Sequence, residues 1–588
     1  MKETSKASVR RSHEPAFIQH YFVGDGLDIC SADDLLASHA HIFPRMRNVT
    51  AWPATKGDLS TMSGAENSGF DFLHAGHVLA GQPNPHKALA RWLELVKPDG
   101  HVIVTVPDED LYGKGVWPNH FNGAHRASFT IHKSENRLPR SVNVLEMVQA
   151  MSPVANCERI ALVRDHFDAA RADADQTADS HAECVIEFVL RKRAVPTLTE
   201  LKHAMDHARN AADAIVAAQT AVRLYPYRFD AYHRAMMTLL RWDVPELLDA
   251  MWQQCVECLP DEHLPRLYQA LHLIARGKLQ EGFTLREALM GRLGWKRRTS
   301  TEPPQDVPEW KGESLAGKSI AIWSEFGLGD EIFFLRFADI LRDRCGAKRV
   351  VVVCQSPLVE LYEASDCADD VVDVQNAANM SGIDYWVYPH AILIHLPLEL
   401  DALPQNVPYL RASEAVASKL PEVAPGKLKV GVVFKGNPTH ENDANRSLSS
   451  LAVLNDLFRV DGVEFFSLQK GAGADEAAQY ATNLDNFHDV GAHLNTMAET
   501  ASAIAALDLV VTVDTSVAHV AGAMGKPVWL MLPDFGDWRW HYTREDSPWY
   551  PTMRLFRRPF GCDWSEVVAR MSGHLRGLQA EHASRAIA

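Results

Sequence analysis

Apolar runs alternate with amphipathic stretches along most of the 588 residues, and this pattern changes in the middle of the chain. From about residue 16 to 193, apolar runs such as YFVGDGLDIC are interleaved with helical periodicity, which predicts an α/β domain. Residues 197–297 show helical periodicity throughout. A Pro-rich linker, predicted at 298–316, leads into a second region of alternating strands and helices. The pattern therefore predicts α/β domains on both sides of a helical region.

The helical region contains a weak repeat. Pro226 and Pro260 each follow a helix end, and they lie 34 residues apart, which is the period of tetratricopeptide repeats. We interpret residues 197–297 as a short, rigid tetratricopeptide-like connector, with peptide binding as the alternative.

The composition and charge limit the kinds of molecule that this protein is expected to bind. The formal net charge of −16 disfavours non-specific binding to nucleic acid or to anionic lipid, so an anionic ligand requires a local basic site. No run of 18 apolar residues is free of charged side chains, which argues against a membrane span. The first residues, MKETSKASVRRSHEP, have no apolar core of the kind that a secretory signal needs, so a cytoplasmic location is expected.

The nine cysteines are scattered and odd in number, which is typical of reduced thiols. Cys255 and Cys258 form a CxxC in helical sequence, but a zinc site would need two further ligands. We interpret both as small core residues.

The most informative stretch is VVTVDTSVAHVAGAMGKPVWLML, residues 510–532. It predicts a strand, a polar corner, a helix of small residues and a second strand. Asp514 ends the strand, and the backbone N–H groups and hydroxyls of Thr515 and Ser516 open the helix, where they can face an anion. His519 lies one turn further along the same helix face. The alternative is a capped core helix with a hydrogen-bonded histidine.

Two other predicted strands end in polar loops. The loops follow Val430–Phe434 and the strand in VEFFSLQKG. Carboxyl ends of parallel strands meet at one edge of a sheet, where ligands bind. The side chains expected there, as a clamp for a pyrophosphate group, are Asn437, His440, Arg446, Gln469 and Lys470.

A glycine-rich corner, SEFGLGDEIFF, precedes another predicted helix. A dinucleotide fingerprint would require glycine where Ile332 stands, so that interpretation is rejected. What remains is a tight turn, with Gly327 and Gly329, that presents Asp330 at a helix N-terminus, where a carboxylate is held ionised. Asp330 is a candidate general base; the alternative is a helix cap.

The motifs DTSVAHVAGAMGKP, GLGD, GNPTHENDANRSL, FFSLQKG and DWRW together resemble family 9 glycosyltransferases, the heptosyltransferase family of the GT-B fold. They are similar above all to a bacterial group that joins tetratricopeptide repeats to such a domain. The resemblance implies an acceptor-side Rossmann-like domain at 317–425 and a donor-side one at 426–576.

The resemblance also implies roles for the candidate residues. Asp330 would take the proton of the acceptor hydroxyl, with Gly327 and Gly329 in the acceptor loop. Basic groups at Arg446 and Lys470 would meet the diphosphate. The donor-phosphate motif would comprise Asp514, Thr515, Ser516 and His519. Fixed dipoles and cations stabilise a leaving diphosphate without a metal, so neither metal nor cofactor is expected.

The N-terminal domain resembles class I S-adenosylmethionine (SAM)-dependent methyltransferases in the sequence Leu95–Pro107, LVKPDGHVIVTVP. That family has Gly-x-Gly after the acidic residue of the first strand, whereas Asp28 is followed here by Ile29-Cys30-Ser31-Ala32. Pro53 stands near the position where an acidic residue should grip the ribose. We therefore expect a methyltransferase-shaped, inactive domain at 16–193 that does not use SAM.

Trp538 and Trp540 flank Arg539, and their rings are expected either to stack on a base or sugar or to pack the interdomain cleft. Altogether the sequence predicts an α/β multidomain glycosyltransferase with a nucleoside-diphosphate sugar as donor. Heptose is one candidate sugar, and the acceptor is a hydroxyl of a cell-surface glycan or protein. Two alternatives stay open: a SAM-dependent methyltransferase whose glycosyltransferase-like half recruits a glycan, and a non-catalytic tetratricopeptide scaffold. The oligomeric state is left open.

Overall fold

The computed structural model forms two compact units, Met1–Thr238 and Leu239–Ala588. The residues it describes are 3–30, 33–135, 137–171, 174–242, 244–290, 301–396, 398, 400, 403, 406–440, 442–559 and 562–587. The loop residues Ser31 and Ala32 and the first part of the predicted linker, 298–300, lie outside them.

The first unit is built on a six-stranded sheet in the order β2-β1-β3-β4-β8-β7. Strands β1 to β4 are parallel, β8 runs antiparallel to β4, and the edge strand β7 runs antiparallel to β8. Apolar side chains cover both faces of the central strands, as a sheet sandwiched between helices requires. The strands are β1 (Gly24–Cys30), β2 (Met46–Pro53), β3 (Phe70–Gly76), β4 (Val96–Pro107), β5 (Ser128–Thr130), β6 (Ser141–Asn143), β7 (Ala155–Val163) and β8 (Val185–Lys192).

The helices of the first half begin at caps that the sequence supplies. The side chain of Asn84 accepts the N–H of Lys87 and Pro85 occupies the first turn, which starts α2. Thr197 and Glu200 form a capping box that starts α4. The helices are α1 (Glu3–Arg11), α2 (Pro85–Leu95), α3 (Val144–Ala150), α4 (Leu198–Asp206), α5 (Ala211–Leu224) and α6 (Phe229–Arg241).

The second unit opens with three helices and continues into a four-stranded parallel sheet, β11-β10-β9-β12. We call this sheet and its helices the first lobe. The helices that open the unit are α7 (Leu248–Cys258), α8 (His263–Ala275) and α9 (Leu279–Met290). The elements of the first lobe are β9 (Ser319–Ile322), α10 (Leu328–Leu335), α11 (Phe337–Asp343), β10 (Arg349–Cys354), α12 (Ser356–Ser365), β11 (Asp370–Asp373), β12 (Tyr385–Val387) and α13 (Pro389–His395).

A second parallel sheet of six strands, β15-β14-β13-β16-β17-β18, forms the second lobe. Strands β13 and β16 are neighbours, so their carboxyl ends lie side by side. The elements are β13 (Leu428–Val433), α14 (Asp443–Arg446), α15 (Asn455–Phe458), β14 (Val463–Ser467), α16 (Ala474–Asn483), β15 (Phe487–Asp489), α17 (Met497–Ala505), β16 (Leu509–Val513), α18 (Ser516–Ala523), β17 (Val528–Leu532), β18 (Met553–Arg557) and α19 (Ser565–Ile587).

The two lobes share a buried aromatic cage, built around Phe333 of α10. The ring of Phe333 is fully buried and lies 4.7 Å from the ring of Trp549 and 5.7 Å from that of Trp538, both in the second lobe. Edge-to-face aromatic pairs at such distances add to the free energy gained by burial. This cage fixes α10 of the first lobe against the second.

Arg336 completes the same contact. The side chain is 1% exposed; its Nη1 donates to the carbonyl oxygen of Trp549 at 2.6 Å and its Nη2 to the hydroxyl of Tyr409 at 3.2 Å. The guanidinium lies 4.6 Å from the ring centroids of both Phe333 and Tyr550. A buried cation held by hydrogen bonds and aromatic faces is strongly tied to one geometry.

The structure confirms the predicted α/β multidomain class. Strand β9, which leads into the glycine-rich corner, ends at Ile322, because the ladder to β10 and β12 stops there. The helical region 197–297 is divided between the two units, and its tetratricopeptide character stays a prediction.

Two further findings concern the described ranges only. No helix in them has the length and hydropathy needed to cross a membrane. They contain no group of three or more His, Cys, Asp or Glu side chains placed to hold a metal ion, and Cys255 is buried within α7.

The cage predicts the effect of a substitution. Phe333→Ala removes a buried ring from between the lobes, and large-to-small changes of this kind cost about 3–5 kcal/mol. We expect a lower unfolding midpoint for the second unit in denaturant, and faster hydrogen exchange in α10. Leu578→Ala, at an exposed position of α19, is the control and should change little. Equal effects of the two substitutions would contradict a central role for the cage.

Candidate functional site

The predicted strand–helix–strand stretch is present as β16, α18 and β17. Thr515 is the N-cap residue of α18, but its side chain accepts no hydrogen bond from the first turn. Its hydroxyl instead lies 3.3 Å from that of Thr512. The Thr515 side chain therefore does not occupy the N–H groups of the first turn of α18, and their predicted contact with an anion stays a prediction.

Asp514 lies between β16 and α18 and keeps 18% of its side chain exposed. Burial, together with the negative charge of Asp537, raises the pKa of Asp514 to about 6. The positive charges of Arg446 and Arg539 act against this rise. Two cations from different loops thus lie close to the start of α18.

Arg446 ends the short helix α14, in the loop that follows β13. Its Nε lies 3.4 Å from Oδ1 of Asp443, and its guanidinium crosses Gly436, where a Cβ atom would come within 2.9 Å of Nη2. The hydroxyl of Ser447 holds this loop by accepting the N–H of Gly436 at 2.8 Å and donating to Asp443 at 2.8 Å. Arg446 is thereby directed towards Asp514 by a loop built around a glycine.

Gln469 and Lys470, after β14, are engaged with backbone groups. Gln469 is buried: its Oε1 accepts the N–H groups of Phe434 and Lys435, and its Nε2 donates to three carbonyl oxygens, those of Lys435, Lys470 and Ala472. Nζ of Lys470 donates to the carbonyl oxygen of Leu494. Gln469 thus connects the loops that follow β13 and β14. The contact of Gln469 and Lys470 with a donor stays a prediction.

Asn437 and His440 shape the loop between β13 and α14. The side-chain oxygen of Asn437 accepts the N–H and hydroxyl of Thr439 at 3.0 and 2.9 Å. Nδ1 of His440 accepts the N–H of Asn442 at 3.2 Å. Their role in donor binding also stays a prediction.

His519 lies inside the helix rather than at its open end. It is 5% exposed, its Nδ1 lies 2.9 Å from the hydroxyl of Tyr550, and its ring stacks on that of Trp540 at 5.5 Å. Burial lowers the pKa of His519 well below its ordinary value, and neighbouring arginines act in the same direction. Its Nε2 lies 3.9 Å from Asp514. A neutral imidazole thus forms a wall of the site.

The glycine-rich corner of the first lobe meets α18 directly. A Cβ atom at Gly329 would lie 2.9 Å from Cδ2 of His519, so only glycine allows this approach. Gly327 is the N-cap of α10, and Oδ2 of Asp330 accepts its N–H at 3.1 Å. The predicted acceptor corner and the predicted donor motif therefore belong to one site.

Asp330 acts as the helix cap that the sequence allows, and its role as a general base stays a prediction. It caps α10 through Oδ2, and its Oδ1 lies 2.5 Å from Nη2 of Arg539 and 3.9 Å from Nε2 of His390. The side chain keeps 27% of its surface exposed. Asp330 is thus an accessible carboxylate paired with a cation from the other lobe.

Arg539 is the central residue that the sequence interpretation left out. It is 6% exposed, and besides Asp330 it binds Asp537, with 2.9 Å between Nη1 and Oδ1. Burial lowers the pKa of Arg539, but the carboxylates of Asp537, Asp330 and Asp514 outweigh burial and raise it. The signal was present in DWRW, where a single arginine stands between two aromatic residues.

The two tryptophans beside Arg539 pack the cleft. Trp540 is fully buried on His519, and the ring of Trp538 lies 4.2 Å from the guanidinium of Arg539 and 5.3 Å edge-on from Phe283. Of the two roles that the sequence left open, this arrangement favours packing, because the aromatic cage uses these rings.

In the first unit, the acidic residue at the end of β1 is fully engaged. Oδ1 of Asp28 lies 2.8 Å from Nδ1 of His74, and Oδ2 accepts the N–H of Leu36 at 2.8 Å. Nη1 of Arg11, on α1, lies 3.1 Å from the other nitrogen of His74, and Arg11 is paired with the buried Glu187 at 2.7 Å. Asp28 thus belongs to a buried charge network, and the expectation that this domain does not use SAM stays a prediction.

Comparison with known proteins identifies the C-terminal region. Residues 454–546 match the model of glycosyltransferase family 9 (heptosyltransferase). Protein FlbA of Caulobacter vibrioides is 26% identical over 400 residues, which cover 63% of this chain and 65% of FlbA. The match therefore spans less than two thirds of this curated relative.

The solved structures that match part of this chain include three bacterial proteins. A family 9 glycosyltransferase from Veillonella parvula is 14% identical, covers 44% of this chain and 90% of its own, and has a TM-score of 0.30. The E. coli ADP-heptose lipopolysaccharide heptosyltransferase II is 13% identical, covers 45% and 99%, and has a TM-score of 0.35. A Bacillus halodurans structure reported as a candidate methyltransferase is 11% identical, covers 32% and 99%, and has a TM-score of 0.21.

The family match confirms the predicted resemblance for the C-terminal region, which carries a glycosyltransferase family 9 domain. The match includes the Asp514–His519 motif and Arg539, whereas Asp330 and Arg446 lie before its first residue.

The raised pKa of Asp514 predicts a pH-dependent stability. The folded chain binds the proton of Asp514 more tightly than the unfolded chain does. The resulting contribution to the free energy of unfolding is therefore fully present below pH 3.8, the ordinary pKa of an aspartate, and is lost as the pH rises through about 6. Asp514→Asn avoids that loss. Above pH 6 its free energy of unfolding should therefore exceed that of the wild type by roughly 2–3 kcal/mol. The difference should shrink towards pH 4.

The measurement is a set of denaturant titrations between pH 4 and 8. Asp461→Asn, at an exposed turn of the same lobe, controls for the loss of one negative charge. A constant difference between Asp514→Asn and the wild type at every pH would show that burial of this charge is not its cause.

Proposed function

We propose that this chain, which carries a family 9 glycosyltransferase domain, transfers a sugar from a nucleoside-diphosphate sugar to an acceptor hydroxyl. One observation carries the proposal: the start of α18, Arg446, Arg539 and Asp330 converge where strand ends of one lobe meet the glycine-rich corner of the other. Ligands of open parallel sheets bind at such strand ends.

In the proposed reaction the acceptor oxygen attacks the anomeric carbon of the donor sugar. A new carbon–oxygen bond forms there as the bond from that carbon to the diphosphate oxygen breaks. The acceptor proton passes to Asp330, and the leaving nucleoside diphosphate takes the bonding electron pair. Its growing negative charge is stabilised by the N–H groups at the start of α18 and by the guanidinium groups of Arg446 and Arg539.

Arg539 connects the two halves of this reaction. In the free chain it is paired with Asp330 at 2.5 Å. A diphosphate at the start of α18 competes for the same guanidinium, which frees Oδ1 of Asp330 to accept a hydrogen bond from the acceptor hydroxyl. Donor binding would thereby prepare the base.

The finer identity of the substrates belongs to the same proposal. The description of the matching family names heptosyltransferase, which makes a nucleoside-diphosphate heptose the first donor to test. We propose a hydroxyl of a cell-surface glycan or of a protein as the acceptor, and a reaction that needs no metal. The engaged carboxylate of Asp28 supports a first unit that does not take SAM.

Binding is tested with nucleoside diphosphates in the presence of a chelator. We expect a thermal shift and a dissociation constant in the wild type, and a roughly 10- to 100-fold weaker affinity in Arg446→Gln, because a charge-assisted contact is lost. Arg459→Gln, an arginine of the same lobe with 76% exposure, is the matched control. A shift with S-adenosylhomocysteine and none with any diphosphate would favour the methyltransferase alternative instead.

Transfer is tested with Asp330→Asn. Loss of a general base typically costs 10²–10⁴-fold in rate, so we expect kcat to fall by roughly that factor. The affinity for the nucleoside diphosphate should be at least that of the wild type, since the neutral amide no longer competes for Arg539. Sugar transfer that survives this substitution, with binding intact, would assign the base elsewhere.

A further inference from the structure

The hairpin of α8 and α9 contacts both lobes of the transferase region. On the side of the first lobe, Nε2 of Gln280 donates to the carbonyl oxygen of Ile394 at 3.0 Å. On the side of the second lobe, Nδ1 of His541 lies 2.6 Å from the carbonyl oxygen of Ala275. His272 and Tyr542 stack with 5.8 Å between their rings. The hairpin therefore belongs to the same packed body as the candidate site.

Helix α9 brings an aromatic residue to that site. Phe283 is 1% exposed, and its ring lies 5.3 Å from that of Trp538 and 6.0 Å from that of His390. Trp538 carries Arg539 on its face, and His390 faces Asp330. One turn of α9 thus borders His390 and the tryptophan on which Arg539 packs.

Arg286 lies one turn beyond Phe283 on the same helix. It is 8% exposed, and its guanidinium lies 5.0 Å from the ring centroid of Phe326. Phe326 has a φ of 64°, a left-handed conformation that a residue with a bulky side chain adopts only when its surroundings hold it there. The planar guanidinium on its ring is one such restraint.

The charges around Arg286 point to the same corner. Burial lowers its pKa, and the carboxylates of Glu325 and Asp330 act in the opposite direction. Glu325 is fully buried and lies 2.9 Å from Nδ1 of His390, whose Nε2 is 3.9 Å from Asp330. Arg286 is therefore a buried cation opposite the two carboxylates that flank the glycine-rich turn.

We propose that Arg286 is a positioning residue for Asp330, so that the α8–α9 hairpin is a working part of the transferase and not a spacer. Its ring contact holds Phe326 in the conformation that starts the Gly327–Asp330 turn, and its charge balances Glu325 and Asp330. This inference rests on the proposed function for its kinetic part. Its structural part, the order of residues 326–330, stands independently.

The test uses the full-length chain with Arg286→Gln, Arg286→Lys and the matched control Arg276→Gln, an exposed arginine at the end of α8. Because a small misplacement of a catalytic group is costly in rate, we expect kcat for sugar transfer to fall about 10- to 100-fold in Arg286→Gln. KM for the nucleotide sugar should stay within about threefold. Arg286→Lys, which keeps the charge and loses the planar contact, should recover part of kcat.

Hydrogen–deuterium exchange gives a second result that does not depend on activity. In Arg286→Gln we expect faster exchange confined to residues 325–331, with α18 and β13–β18 unchanged. The inference is overturned if exchange in this segment matches the wild type, if it rises uniformly over the second unit, or if kcat is unchanged. If the wild type binds no nucleoside diphosphate, the proposed function fails, and the exchange result alone decides the role of Arg286.

Discussion

The geometry of the candidate site depends on how α10 is held between the two lobes. Phe333 and Arg336 of this helix are buried among Trp538, Trp549 and Tyr550 of the second lobe. The same helix begins at Gly327 and Asp330, so the cage that joins the lobes also fixes the distance from the glycine-rich corner to the start of α18. Packing and site geometry are therefore one constraint, because a shift of α10 would move Asp330 with it.

Charge balance is the second constraint, in a protein with a net charge of −16. Asp330, Asp514 and Asp537 all act on Arg539 within a largely buried site. Burial disfavours the charged form of Asp514, since it raises the pKa of this carboxyl to about 6. A site with this arrangement holds its cations in place before an anionic ligand arrives, which lowers the reorganisation needed on binding.

The first unit shows the opposite use of charged residues. Arg11, Asp28, His74 and Glu187 form a chain of contacts between α1 and the sheet, and each of these side chains is almost fully buried. Buried charges that satisfy one another stabilise a single arrangement and leave little capacity for a ligand. In this domain the charged residue at the end of β1 thus serves contacts inside the protein.

The sequence by itself determined the alternation of strands and helices, the cap that starts α2, the strand–helix–strand stretch at 510–532 and the family of the C-terminal region. These features are local: periodicity, capping residues and motif spacing are set within a few turns of chain. Only the tertiary structure decided which polar residues face the site. Gln469 binds backbone groups and Trp540 packs on His519. Arg539 and Arg286, which are far from Asp330 in the sequence, lie near it in the fold. The direction of a side chain at a strand end depends on which loops and helices pack against it, and no local pattern encodes that packing.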